Sequence, residues 1–241
     1  MIFLKKLYIS ATILFIFLFF LTFNGCAVEE KLYNVVSTDS KQPEPTIIID
    51  AGHGGFDGGA STKDGVPEKN INLSISLYLN DYLKAFGFNT VLTRVDDSSL
   101  ENDGLNTIRK KKRSDLHNRM KLMEKTNNAV FISIHQNSFP VEKYNGMQVF
   151  YTEMFPEESS RLAQLIQDNT VKLVQKNNTR QIKPCGTSVY LIYNAKKPAC
   201  LVECGFLSNN EEAQKLKTEQ YQKQIAFCIA LGIQEFFYIK D

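Results

Sequence analysis

The chain has 241 residues, of which 43% are hydrophobic, and it contains 13 glycines and 7 prolines. This composition excludes a collagen-like or low-complexity protein and predicts a folded globular domain. Lysine and arginine together number 28 against 26 aspartates and glutamates, so the formal net charge is only +2. Proteins that bind nucleic acid through its phosphates usually carry a stronger basic excess, and we therefore expect no nucleic-acid partner.

The amino terminus has the pattern of an exported protein. Two lysines precede an uncharged, apolar run over residues 7–23. A cleaved signal peptide and a retained membrane anchor both fit a run of this length. Cys26 adds lipidation as a third alternative. We predict a signal peptide or membrane anchor over residues 1–27, a linker over residues 28–45 and one folded domain over residues 46–241.

Short runs rich in β-branched and aromatic residues predict six strands. They span residues 46–50, 89–93, 129–135, 147–151, 188–193 and 199–203. Longer segments with helical spacing of apolar residues predict helices over residues 70–86, 107–125, 156–176 and 218–237. Strands that alternate with helices predict a single α/β domain with a mostly parallel sheet of about six strands and helices on both faces.

Ionisable side chains collect at the ends of the predicted strands. His53 follows the first strand, His135 closes the third and Glu203 closes the last. Each alone has a structural explanation, but ligands of open α/β sheets bind beyond the carboxyl ends of strands. Several ionisable groups at one rim are unfavourable unless a metal or mutual pairing compensates their burial. Imidazoles with a carboxylate are a zinc ligand set, so we predict a zinc site with an acidic third ligand.

The glycine-rich stretch GHGGFDGG at residues 52–59 does not fit nucleotide binding. Asp57 stands where the dinucleotide pattern requires its last glycine, and Ala60 stands where the P-loop requires lysine. The chain also lacks the G-x-S-x-G motif of serine hydrolases with an α/β fold. The glycines therefore leave backbone space around His53.

Several specific blocks occur in order along the chain. They are IIIDAGHGGFDGGA at 47–60, GVPEKNINL at 65–73, TR at 93–94, FISIHQN at 131–137 and LVECGFLSN at 201–209. Together they resemble the zinc-dependent N-acetylmuramoyl-L-alanine amidases of the Amidase_3 family, which hydrolyse peptidoglycan. The arrangement of one domain behind an apolar segment looks most like the CwlD subgroup, which acts on the spore cortex.

The resemblance implies roles for individual residues. The residues that match its zinc ligands are His53, Glu68 and His135, and Glu203 matches the catalytic carboxylate. The residues alone do not single out Glu68, since Asp57, Glu101 or Glu142 would serve the charge equally. Asn137 and Arg94 are candidates for orienting the substrate or for supporting the ligands, with a structural role as the alternative.

The resemblance also implies an activity and a location. The expected reaction is hydrolysis of the amide bond between N-acetylmuramic acid and L-alanine with one zinc ion, in spore-cortex or cell-wall remodelling. The alternatives are a zinc peptidase of the stem peptide and a non-catalytic wall-binding protein of the same fold. We expect an exported protein, membrane-anchored or secreted to the cell wall or the forespore intermembrane space.

Peptidoglycan is the expected substrate partner. Because neither wall-binding repeats nor an inhibitory insertion is recognisable in the chain, control of the enzyme is expected from expression timing, from membrane tethering or from an accessory or activator protein at the membrane. The basic run RKKKR at residues 109–113 is either a solvated helix start or a contact with an anionic wall polymer, a membrane or a partner protein.

Overall fold

Six strands form the central sheet in the computed structural model, which describes residues 45–238. They are β1 (Thr46–Ala51), β2 (Asn89–Leu92), β3 (Ala129–Asn137), β4 (Gln148–Tyr151), β5 (Lys183–Pro184) and β6 (Ala199–Phe206). Their order across the sheet is β2-β1-β3-β6-β4-β5. The first four in this order run parallel, whereas β4 is antiparallel to β6 and parallel to β5. The prediction of a mostly parallel sheet is confirmed.

Helices cover both faces of the sheet, as predicted. The helices are α1 (Glu68–Ala85), α2 (Ile108–Lys125), α3 (Pro156–Leu173), α4 (Tyr190–Tyr193), α5 (Asn210–Leu216) and α6 (Glu219–Tyr238). On one face α1, α3 and α6 pack together, and on the other face α2 packs beside the single turn α4. In the part of the chain that the structure describes, no helix is both long and apolar enough to cross a membrane.

Alternation along the strands decides which side chains belong to which face. Ile47 and Ile49 of β1 lie in the core beneath α1, whereas Ile48 lies in the core beneath α2. Successive side chains of a strand point to opposite faces. By the same alternation, His135 lies on the same face as Phe131, four positions earlier in β3, and Glu203 lies on the same face as Leu201, two positions earlier in β6. Both side chains therefore point to the α2 face.

The strand predicted over residues 188–193 is wrong. Tyr190–Tyr193 forms the helical turn α4, and its Leu191 and Ile192 are buried beneath α2. A short apolar run can be buried as a helical turn as well as a strand, and periodicity alone does not separate the two. The place at the sheet edge belongs instead to Lys183–Pro184, which pairs with β4.

Other predicted boundaries differ by a few residues, and α5 was not predicted from the sequence. The side chain of Asn209 caps α5 by accepting a hydrogen bond from the Glu212 backbone N–H at 3.0 Å. The predicted signal peptide or anchor, and all of the predicted linker except Pro45, lie outside the described residues and stay predictions.

Candidate active site

Three side chains able to bind a metal meet at the carboxyl ends of β1 and β3. They are His53, just past β1, Glu68, the first residue of α1, and His135 of β3. One ligand atom from each lies within 4.8 Å of the others. His53 Nε2 lies 3.2 Å from Glu68 Oε2, and His135 Nδ1 lies 3.0 Å from Glu68 Oε1. The fold thus brings together three residues that are up to 82 positions apart in the printed sequence, His53 and His135 being the extremes.

Two glycines leave the space that these side chains occupy. A Cβ atom at Gly52 would lie 2.2 Å from His135 Nε2, and a Cβ atom at Gly59 would lie 2.5 Å from Glu68 Oε2. Gly59 also has a φ of 70°, in the left-handed region that favours glycine. The expectation that these glycines provide space around His53 therefore extends to all three candidate ligands.

His53 has an uncommon backbone conformation that two arginines stabilise. Its φ is 61°, which non-glycine residues adopt rarely. Its carbonyl oxygen accepts hydrogen bonds from Arg94 Nε at 2.9 Å and from Arg119 Nη2 at 2.6 Å. Such strain persists only where the surrounding structure enforces it. The imidazole is thereby held at a defined position relative to Glu68.

Asp57 orients the His53 ring. Its Oδ2 lies 3.0 Å from His53 Nδ1, and its Oδ1 lies 3.0 Å from Lys112 Nζ. A carboxylate that accepts the Nδ1 proton leaves Nε2 free to bind a metal, which is the usual arrangement around a metal-binding histidine. Burial opposes protonation of the ring, but hydrogen bonds to Asp57 and Glu68 outweigh it and raise the pKa of His53 to about 9.

Glu68 is a buried carboxylate held by several donors. It is 3% exposed, and its oxygens accept hydrogen bonds from the backbone N–H groups of Ala60 and Gln136 at 2.9 and 3.0 Å. Asn72 Nδ2 donates to Oε1 at 3.2 Å, and Asn72 in turn accepts from Gln136 Nε2 at 3.2 Å. Burial acts to raise the pKa of Glu68, but the two neighbouring imidazoles hold it well below its usual range.

This donor set fits a zinc ion. Two imidazole nitrogens and one carboxylate oxygen form a ligand set of catalytic zinc sites, which keep a further position open. Among the described residues, the direct ion-pair and hydrogen-bond contacts of the Glu68 oxygens are to imidazoles and neutral amide donors. A cation between these groups would compensate the buried charge of Glu68.

Glu203 lies beside this cluster on the neighbouring strand, directly opposite His135 in the β3 and β6 register. Its Oε2 is buried and has no hydrogen-bond partner among residues 45–238. Burial is the main reason that the pKa of Glu203 rises to about 7; His135 lowers it and the charge of Glu68 raises it further. A carboxyl group with a pKa near neutrality can both accept and return a proton at physiological pH.

The other two predicted site residues are less directly placed. Arg94 is 3% exposed, and its guanidinium donates to the backbone carbonyls of residues 51, 52, 53, 69 and 96. It therefore stabilises the loop that carries His53. Asn137 ends β3, where the register with β6 shifts, and its carbonyl accepts a hydrogen bond from Leu207 N–H at 2.8 Å.

Sequence reasoning missed a buried charge network beneath His53. Arg119 is 2% exposed, and it donates to Asp50 Oδ1 at 2.6 Å and to Asp115 Oδ2 at 2.8 Å. Ser133 Oγ donates to Asp50 Oδ2 at 2.6 Å. The spacing of four between Asp115 and Arg119 on a predicted helix was the only signal available, and it also fits an exposed helix pair. The sequence likewise contained no signal for the hydrogen bonds that Asn72 and Gln136 make to Glu68 and to each other.

Comparison with known proteins agrees with this fold and site. The sequence model of the N-acetylmuramoyl-L-alanine amidase family matches residues 47–235. The germination-specific N-acetylmuramoyl-L-alanine amidase of Bacillus subtilis is 37% identical over 191 residues, which cover 79% of each chain.

Two solved structures are also similar. The CwlD amidase from Clostridioides difficile, determined in complex with the GerS lipoprotein, is 41% identical with a TM-score of 0.79, over 82% of this chain and 100% of that chain. The amidase AmiC2 of Nostoc punctiforme is 27% identical with a TM-score of 0.69, over 81% of this chain and 98% of that chain. The resemblance read from the sequence is confirmed, and the chain belongs to the N-acetylmuramoyl-L-alanine amidase family of peptidoglycan hydrolases.

Proposed function

We propose that the protein is a zinc-dependent amidase that cuts the bond between N-acetylmuramic acid and L-alanine in the spore cortex or cell wall. The observation that carries this proposal is the cluster of His53, Glu68 and His135 with the unpaired carboxylate oxygen of Glu203 beside it. His53 Nε2, His135 Nδ1 and one oxygen of Glu68 would bind the ion. When bound there, zinc supplies Lewis acidity toward the amide carbonyl and toward water.

Glu203 has the role of general base and then general acid. Its Oε2 has no hydrogen-bond partner among the described residues, so this oxygen is available to accept a proton from the attacking water. The same proton then passes to the nitrogen of the departing L-alanine, which leaves as an amine. The raised pKa of Glu203, about 7 without a metal, supports both halves of this transfer. A nearby metal cation would favour the carboxylate form that begins the cycle.

The surrounding residues position the reacting groups. Asp57 keeps the proton of His53 on Nδ1, and Asn72 fixes one oxygen of Glu68. Arg94 and Arg119 hold the backbone that carries His53. Partners of this kind orient metal ligands and raise metal affinity. The proposed reaction therefore depends on an arrangement that these contacts build before substrate binds.

Product analysis separates this reaction from its alternatives. Purified protein loaded with zinc is incubated with peptidoglycan, and the products are identified by mass spectrometry. We expect peptides with a free L-alanine amino terminus and glycan strands with intact sugar linkages. A cut inside the stem peptide would instead identify a peptidase, and binding without any cut would identify a wall-binding protein.

We propose a sporulation context and an accessory partner on the strength of the relatives. One relative is described as germination-specific, and one similar structure contains an amidase in complex with a lipoprotein. A membrane-associated accessory protein would give this chain a means of control. The proposed export signal, linker and anchor over residues 1–45 are consistent with action in the cell wall or between the forespore membranes.

A further inference from the structure

We propose that a basic groove between α2 and α4 binds the free carboxylates of the stem peptide, an inference that rests on the proposed amidase function. The groove has a volume of about 730 Å³. Its lining includes Lys110, Arg113, Ser114 and His117 of α2, Leu105 of the preceding loop and Tyr190 of α4. Its volume lies in the range of ligand-binding clefts, about 300–1,000 Å³.

The cations of this groove are free to bind an anion. In the run of residues 109–113, Lys111 pairs with Glu101 at 3.9 Å and Lys112 pairs with Asp57 at 3.0 Å. Within residues 45–238, no carboxylate forms an ion pair with Lys110 or Arg113. Both side chains are exposed, so their charges are solvated rather than internally compensated. The groove is therefore positive on balance, and it attracts negatively charged ligands.

The groove lies on the same side of the sheet as the catalytic residues. His135 and Glu203 point to the face that α2 and α4 cover. Lys112 lies between Lys110 and Arg113 in the chain and contacts Asp57, which contacts His53. This turn of α2 thus contacts the candidate ligand His53 through Lys112 and Asp57, and Lys112 itself lies outside the groove lining. An extended peptide of three residues spans about 10 Å, and a stem peptide cut at the metal site must cover the distance to Lys110 and Arg113 to bind there.

Charge identifies the part of the substrate that fits. The lactyl carboxyl of N-acetylmuramic acid is consumed in the scissile amide, so the glycan presents no carboxylate there. The stem peptide retains free carboxylates on its acidic residues and at its carboxyl terminus. Leu105 and Leu116 offer apolar contact to the aliphatic parts of such a peptide, and the 42% exposed ring of Tyr190 adds a polar hydroxyl. The charge of the groove is therefore complementary to the anionic peptide rather than to the sugar chain.

Calorimetry with the isolated stem peptide tests this assignment without relying on turnover. The probe is the tetrapeptide L-Ala-γ-D-Glu-diaminopimelate-D-Ala, compared with the same peptide in which the carboxylates are amidated. The test variant is the double substitution Lys110→Gln, Arg113→Gln. The control is Lys121→Gln, Lys125→Gln, which removes the same charge from exposed positions of the same helix outside the groove.

We expect the test variant to bind the free-carboxylate peptide about five- to tenfold more weakly than the wild type, since exposed ion pairs are individually weak. The control should bind like the wild type, and the amidated peptide should bind the wild type as weakly as the free peptide binds the test variant. Equal affinity of the test variant and the wild type, equal losses in test and control variants, or no peptide binding to the wild type would overturn the proposal.

A second ligand separates the peptide from other wall anions. A soluble glycerol-phosphate polymer represents anionic wall polymers. If the groove binds this polymer more tightly than the peptide, and through the same two cations, the groove is a polymer site and our proposal is overturned.

Failure of the amidase function gives a different result. In that case peptide binding would still depend on Lys110 and Arg113, while peptidoglycan would remain uncut by the wild type.

Discussion

Asp50 and Glu203 are two acidic residues on the same face of the sheet, and their surroundings are opposite. Asp50 is 1% exposed and both of its oxygens are bound, one by Arg119 and the other by Ser133. Burial acts to raise its pKa, but the Arg119 charge and the Ser133 hydrogen bond hold the pKa below its usual range. Glu203 has a buried oxygen without a partner in residues 45–238, and its pKa rises to about 7.

The comparison separates two uses of buried charge. Where every polar atom is bound, as around Asp50 and Arg119, the network holds the His53 loop and is stable in one arrangement. Where one atom is left without a partner, as in Glu203, the folded protein loses stability but keeps a group that can exchange a proton. In the proposed mechanism, satisfied charge therefore builds the site, and unsatisfied charge performs its chemistry.

The largest expected effect follows from removing the proposed general base, Glu203, while leaving the three proposed metal ligands in place. Glu203→Gln should bind zinc like the wild type but lose about 10²- to 10⁴-fold in turnover, the usual contribution of a general acid-base group. His53→Ala, Glu68→Ala and His135→Ala should each lose zinc as well as activity. Metal content after dialysis and hydrolysis rate are measured on the same samples. Loss of zinc from Glu203→Gln equal to that from the ligand variants would make Glu203 a ligand.

Breaking the satisfied network should affect stability more than any exposed change does. Arg119→Met leaves Asp50 and Asp115 buried without their partner, so the free energy of unfolding should fall by about 3–5 kcal/mol. Urea denaturation followed by circular dichroism measures this loss. The control is Lys121→Met on the same helix, which is exposed and should change stability by less than about 0.5 kcal/mol.

If Arg119→Met does not fold, Arg119→Lys provides the second measurement. Lysine keeps the charge but cannot reproduce the forked hydrogen bonds to Asp50 and Asp115, so an intermediate loss is expected. Wild-type stability in Arg119→Lys would show that charge alone, and not the geometry of the network, holds the His53 loop.

The smallest predicted effect concerns the dependence of stability on pH. In the metal-free protein the pKa of Glu203 is about 7, above its ordinary value of 4.5, so the folded state binds this proton more tightly than the unfolded state. Stability is therefore lost as pH rises from about 4.5 to 7, by at most about 3 kcal/mol. Glu203→Gln removes this loss. At pH 8 the variant should therefore have a higher free energy of unfolding than the wild type, and at pH 5 the two proteins should differ little.

Urea denaturation of both proteins at the two pH values, in the presence of a chelator, measures this difference. The comparison is made between variant and wild type at each pH, so the titration of distant groups that do not interact with Glu203 cancels. An identical stability difference at pH 5 and pH 8 would contradict a raised pKa for Glu203 and weaken its contrast with Asp50.

Much of this architecture was accessible from the sequence because it depends on local patterns. The β-branched run before Asp50 and the apolar run before His135 predict the strands β1 and β3, at whose carboxyl ends His53 and His135 lie. Glu68 came only from its sequence block, since an acidic residue at a helix start has no periodic signal. The contacts of Arg119 and Asn72 join distant segments, so they depend on how α2 and α1 pack rather than on any local pattern.

The edges of the sheet have a consequence for how this protein can meet other chains. One edge is the four-residue β2, and the other is β5, which consists of Lys183 and Pro184. Proline has no N–H to donate to a neighbouring strand, and lysine at an edge disfavours strand addition. Within residues 45–238, strand addition is therefore disfavoured at the β5 edge, which also protects that edge from aggregation, whereas the β2 edge offers a partner strand only four residues.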